Sequence, residues 1–331
     1  MMLTQIILVA LFITLALPLV LYVGALDWSR KHTKKATSLP EFSAKADSGQ
    51  YRLAANGFEF VLRVAGMQNT GQNLILLHGF PESSLMWQAL LTQAAQAGYR
   101  VVAFDQRGYS PMARPKNVSD YQLVALSADV LAVADGVGFE RFHLVGHDWG
   151  AVVGWLTVMN NLQRVQTWTA LSIPHIGVFF DAVINDPEQA LRSRYFAFFQ
   201  RSYWPEFLLT VAGQRNMKQL LAALPQSHKE EYFAILAEPG ALTAQLNWYR
   251  AMDVLAYAQQ KTFERDIYCP TLFIWGRNDG IIAESVIAKQ ARFIKTVYKG
   301  LTLDTGHNLI QSKEKEVIAA ILEYLTLESV S

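Results

Sequence analysis

The chain of 331 residues is too long for one small domain and suits one large domain with an insertion. Hydrophobic residues make up 51% of it and charged residues 17%, so a large core is expected; a net charge of +1, with no long basic run after the first forty residues, offers no nucleic-acid surface. The single cysteine, Cys269, excludes an internal disulfide, disfavours a thiolate metal site and reads as a small buried hydrophobe beside a strand.

Residues 6–23 (IILVALFITLALPLVLYV) carry no charge and are just long enough to cross a bilayer. No Lys or Arg precedes them, while Arg30, Lys31, Lys34 and Lys35 follow. This asymmetry predicts an uncleaved membrane anchor over residues 1–28, with the next domain on the cytoplasmic side. Small residues at Val23-Gly24-Ala25 leave cleavage and secretion as the alternative. A polar stretch, 29–50, reads as linker.

From residue 51 onward, apolar runs alternate with helical patterns. The runs 73–77, 100–104, 141–145 and 271–275 end at His78-Gly79, Asp105, Gly146 and Gly276, and a further strand-like run covers 295–302. Continuous apolar runs, each followed by a helix-like segment, predict a mostly parallel sheet covered on both faces, hence an α/β core over 51–174 and 263–331. In such sheets the working residues gather beyond the C-terminal ends of the strands. Between the two parts, 175–262 reads as an all-helical cap dense in Phe, Trp and Tyr. Asp186-Pro187-Glu188-Gln189 predicts a helix start with Asp as N-cap and Gln three residues on; Ser227-His228-Lys229-Glu230 predicts a capping box, and Glu238-Pro239-Gly240 a break.

The stretch 146–150, GHDWG, places an aspartate where a strand-to-helix elbow presents its nucleophile. Flanking glycines allow so tight a turn, and the N-terminus of the helix that follows favours an anion at Asp148. Asp279 in WGRNDG and His307 in DTGHN each lie just past a strand, in the chain order nucleophile, acid, histidine that belongs to the α/β-hydrolase fold. The His78-Gly79-Phe80-Pro81 loop supplies the other half of an oxyanion hole, so its donors are predicted to be the amides of Phe80 and Trp149.

From about Tyr51 to the end the chain resembles the epoxide hydrolase branch of the α/β-hydrolase superfamily, in HGFPES, DQRGY, GHDWGA, WGRNDG and GH. The haloalkane dehalogenases share much of this pattern. The resemblance implies that two cap tyrosines hold the epoxide oxygen: Tyr195, in YFAFFQ, and Tyr249, in NWYR. Phe80 stands where many haloalkane dehalogenases carry Asn, and Trp149 where fluoroacetate dehalogenases carry Arg. Ser110 replaces the glycine usual after RGY, and Asn308 replaces the aromatic often found after the catalytic histidine. The implied activity is hydrolysis of a hydrophobic epoxide to a diol with water as co-substrate, through an ester on Asp148 that His307, supported by Asp279, then hydrolyses. No metal or organic cofactor is implied. Haloalkane dehalogenation is the alternative within the fold; a ligand-binding module on the same scaffold is the alternative of another class.

Plainer roles stand beside these. Asp148 as a turn residue, Asp279 as a helix cap and His307 as a structural histidine are each possible in isolation. Tyr195 shares a helical stripe with Leu191 and Phe198, and Tyr249 with Leu242 and Leu246, so both could be core. His78 and His147 read as structural. His175 at the start of the cap either packs there or reaches the pocket, with packing favoured.

Overall fold

The structure is a computed structural model and describes residues 38–328. The predicted anchor, 6–23, lies outside the described residues; among those described, no helix is long and apolar enough to cross a membrane.

Eight strands form one sheet: β1 (Gly49–Ala55), β2 (Phe58–Ala65), β3 (Asn73–Leu77), β4 (Arg100–Phe104), β5 (Phe142–His147), β6 (Val165–Leu171), β7 (Thr271–Gly276) and β8 (Tyr298–Leu303). Their spatial order is β1-β2-β4-β3-β5-β6-β7-β8. β1 and β2 form an antiparallel hairpin that pairs antiparallel with β4; every other neighbour is parallel. The central strands bury both faces, as their unbroken apolar composition requires: Leu74, Ile75, Leu76 and Leu77 are all fully buried. On one side the sheet packs on the helices Leu123–Gly136 and Trp149–Asn160, and on the other on Gln88–Gln96 and Glu314–Glu328.

Several local expectations shift. The run 295–302 becomes a strand only from Tyr298, because Lys295 donates its amide to the carbonyl of Ile267, outside the β7 ladder. Part of the stretch read as linker is pinned to the sheet: the Phe42 amide donates to the carbonyl of Arg52 in β1, the Arg52 amide donates to the Pro40 carbonyl, and Ala46 is buried. The helix expected to be capped by Ser227 runs instead from Gln226 to Leu236, with Pro225 as its N-cap, so Ser227 lies inside it. Proline's fixed φ and extended ψ set the entry to the helix without a side-chain cap.

The segment between β6 and β7 carries the helices Ile176–Asn185, Pro187–Arg192, Arg194–Phe199, Trp204–Leu220, Gln226–Leu236, Ala241–Arg250 and Val254–Gln259. Asp186 caps the second of these, its side chain accepting from the amides of Glu188 and Gln189. The first of them opens just after β6, and the aromatic faces of Arg194–Phe199 and Ala241–Arg250 meet the loops at the C-terminal edge of the sheet.

Candidate active site

Strand register brings the candidate residues together. Leu77 of β3 lies beside Gly146 of β5, His147 beside Leu171 of β6, Leu171 beside Ile274 of β7, and Gly276 beside Leu303 of β8. Phe80, Asp148, Asp279 and His307 therefore emerge in a row from one edge of the sheet, Asp148 directly after its strand and the others a few residues past theirs.

Asp148 sits on the elbow with φ 52° and ψ −120°. An L-residue there costs about 1–3 kcal/mol of strain, which the surrounding packing must hold. Gly146 and Gly150 allow the turn, and Gly79 lets the neighbouring loop approach it. A Cβ on Gly150 would lie 2.2 Å from the Leu77 carbonyl oxygen, and one on Gly79 would lie 2.5 Å from the Asp148 Cβ. The Phe80 amide donates to Asp148 Oδ1 at 2.8 Å. The Trp149 amide opens the next helix, where no carbonyl one turn back can accept it.

Asp148 Oδ2 faces His307 Nε2 at 3.4 Å, and His307 Nδ1 meets Asp279 Oδ2 at 2.9 Å. Asp279 is buried, and its other oxygen accepts the amides of Ile281 at 2.7 Å and Ile282 at 3.3 Å. Burial raises both carboxyls, but His307, joined for Asp148 by His147 and the Phe80 amide and for Asp279 by the two loop amides, holds each below the ordinary carboxylate value. Burial by itself would lower His307; the two carboxylates outweigh it and hold the imidazole well above its ordinary value.

The cap tyrosines close the site from above. Their rings lie 6.0 Å apart, and Tyr249 packs edge-on against Trp149 at 4.8 Å and Phe80 at 5.5 Å. Burial, then neighbouring charges that include Asp148, pushes both phenols well above their ordinary value, so they are neutral hydroxyls at any physiological pH. The stripe that made Tyr195 a core candidate does not exist: Leu191 is 61% exposed, and Ser193 separates its helix from that of Tyr195. Tyr249 does share a buried stripe with Leu242 and Leu246, yet its ring fronts the site. Gln200, the last residue of YFAFFQ, donates to the carbonyls of Tyr249 and Met252 and so ties the two tyrosine helices together. Trp248 donates to the Arg107 carbonyl at 2.8 Å, and Arg107 is itself locked to buried Asp129, which anchors NWYR onto DQRGY.

The family whose members share the α/β-hydrolase fold matches residues 72–313. Epoxide hydrolase A of Mycobacterium tuberculosis is 32% identical over 306 residues, spanning 80% of this chain and 94% of the relative. Epoxide hydrolase 3 of Xenopus tropicalis is 29% identical over 315 residues, spanning 92% and 84%. The crystal structure of epoxide hydrolase A from Mycobacterium thermoresistibile superposes with a TM-score of 0.71 at 25% identity, over 84% of this chain and 98% of that one. The chain belongs to the epoxide hydrolase branch of the α/β-hydrolase superfamily.

Within that branch, several supports of the site were not legible in advance. His147, read as structural, sends Nε2 to the His307 carbonyl at 3.0 Å and lies 3.4 Å from buried Glu82 through Nδ1. Ser172 donates to the same carbonyl. Both residues adjoin strand ends, which was the available signal. His78 is structural, accepting the Gln106 amide. His175 is buried, stacked on Phe293 and bonded to the Arg265 carbonyl. Ser110, in place of the usual glycine, accepts the Val61 amide and donates to the Asp105 carbonyl, so its hydroxyl fastens β2 to the loop.

Proposed function

We propose that the chain hydrolyses hydrophobic epoxides to vicinal diols through an ester on Asp148. The observation that carries this reading is the Asp148 carboxylate itself, with one oxygen on the Phe80 amide, the other facing His307, and two neutral tyrosines above it.

An epoxide carbon has no carbonyl to polarise and must be displaced in line. An ionised carboxylate does this without losing a proton, which a serine would have to do. Asp148 forms the new C–O bond as the ring C–O bond breaks. Tyr195 and Tyr249 hydrogen-bond the departing oxygen, and one phenol gives it a proton. The resting imidazole, held protonated by two carboxylates, resupplies that proton through solvent. Forming the ester removes the charge on Asp148, so His307 loses one of the two groups that kept it protonated. It becomes the neutral base that the second step needs.

In that step water attacks the ester carbonyl and gives its proton to His307, steadied by Asp279. The oxyanion rests on the Phe80 and Trp149 amides, where loss of one donor costs on the order of 3 kcal/mol in other enzymes. Collapse releases the diol and restores carboxylate and imidazolium, so the proton consumed by ring opening is returned by hydrolysis.

The test follows diol formation from terminal and disubstituted aryl and alkyl epoxides, with halide release from haloalkanes in parallel, for residues 37–331 and for the same protein carrying Asp148→Asn. Diol from the parent and none from the variant is the expected result. Equal diol from both would refute the covalent route, and halide without diol would move the activity to dehalogenation.

A further inference from the structure

The loop that carries Asp279 is tied to the β8 side only at its start, where the amides of Arg277 and Asn278 go to the carbonyls of Leu303 and Thr305. Asp279 donates its amide to Gly276, but the amides of Ile281 and Ile282 go to the Asp279 carboxylate, and the groups beyond go to the cap. Two side chains of the short helix Pro187–Arg192 take them. Gln189, fully buried, donates to the Ile281 carbonyl at 2.9 Å and accepts the Ala283 amide at 2.8 Å. Arg192 reaches the carbonyls of Asp279 and Ile282 with one nitrogen, while its others are held by Glu188. The N-cap Asp186 adds a third grip, accepting from the Ser285 hydroxyl.

Gln189 makes the point sharply. It occupies the position from which a capping box reaches back to the N-cap amide. Here the Asp186 amide bonds to Ala182, and the Gln189 amide group is turned onto the loop instead. A buried carboxamide with this many matched partners is an aligning device, since each group left unpaired would be penalised. The next helix of the cap starts at Arg194 and carries Tyr195.

We propose that Gln189 and Arg192 are positioning residues, which hold the backbone of residues 279–283 so that the Asp279 carboxylate stays on His307, and thereby fix the base of the second step relative to Tyr195 of the first. The proposal rests on the roles given to Asp148, Asp279 and His307 above. Its signature lies in the second step. His307 is faced by Asp279, Asp148 and His147, with Glu82 behind His147. Loosening the clasp weakens only the first of these contacts.

Two readouts test it in the parent, Gln189→Met and Arg192→Ala. The imidazole of His307 is titrated by NMR in histidine-labelled resting enzyme, and formation and decay of the ester are followed by rapid mixing with an aryl epoxide. Both variants should titrate at lower pH than the parent, and ester decay should slow by roughly tenfold to a hundredfold, as misplacement of a catalytic group does, while formation changes little. Arg192→Lys, which keeps one donor for the carbonyls, should recover part of the decay rate. Parent-like titration and decay in both variants would overturn the proposal, as would equal slowing of formation and decay. If Gln189→Met fails to fold, Arg192→Ala decides, since that side chain is 29% exposed at the cap surface. If the parent forms no ester, the reading of Asp148 falls while the titration still judges the clasp.

Discussion

Along the edge of the sheet, Phe80, Asp148, Asp279 and His307 project from turns whose backbone is shaped by strand register and by close contact. In the cap, Tyr195 and Tyr249 are held by rings packed on rings, with Phe199 against Tyr249 at 4.9 Å and against Tyr195 at 5.7 Å. The edge leaves no slack: Gly79 and Gly150 each lie against atoms that a methyl group would strike. Ring-to-ring contacts admit other hydrophobic shapes of similar volume. The bond-making machinery and the pocket wall are thus built with different tolerances, and variation in substrate range is expected on the cap side of the site.

The strongest way to break this comparison is Asp279→Asn. It should leave ester formation largely intact and slow ester hydrolysis by about 10³- to 10⁴-fold, the scale seen when a triad loses its carboxylate. The ester would then accumulate, which mass spectrometry of the quenched enzyme detects. The same contrast has a pH signature. Resting His307 is held protonated well above its ordinary value, so ester formation should fall as pH rises through that higher midpoint. Decay needs the neutral imidazole and should rise with pH through a lower midpoint, because the ester has lost the Asp148 charge. A single shared midpoint for both steps would contradict the proton cycle.

On the cap side, Tyr249→Phe and Tyr195→Phe should each slow ring opening by about tenfold to a hundredfold, and the double variant by more than either. Ester decay should hold its rate, since no tyrosine touches that step. If decay slowed equally, the tyrosines would be shaping the edge as well.

Gly150→Ala sharpens the edge side through stability. The added methyl meets the Leu77 carbonyl, which should destabilise the fold by about 2–3 kcal/mol and displace the elbow. Ser110→Gly is the mildest change. It restores the residue usual at this point but strips the Val61 amide of its acceptor, for a loss of about 1–2 kcal/mol in denaturant titrations with ester chemistry unaltered.

Much of the edge was legible because its signals are local. Buried runs such as 73–77 and 100–104 need no partner to be recognised as interior strands, and GHDWG carries its own geometry. Less was legible in the cap. The Ser227 box gave way to Pro225, the stripe from Leu191 to Tyr195 proved to be two helices, and Gln189 left its capping role for a loop far along the chain. Helical periodicity is shared by packing faces and by functional faces, so it cannot say which residues look inward to a site.

The sequence by itself determined the α/β core, the elbow at Asp148 and the order of nucleophile, acid and histidine, since each is written in a short run of residues whose turn or burial has few alternatives. Tertiary structure alone decided that the acid loop leans on Gln189 and Arg192, that His147 and Ser172 hold the carbonyl of His307, and that Trp248 docks the cap onto Arg107. These are hydrogen bonds between segments distant in the chain. Their donors and acceptors have no preferred partner until the fold brings them within 3 Å or so of one another and removes the water that would otherwise serve.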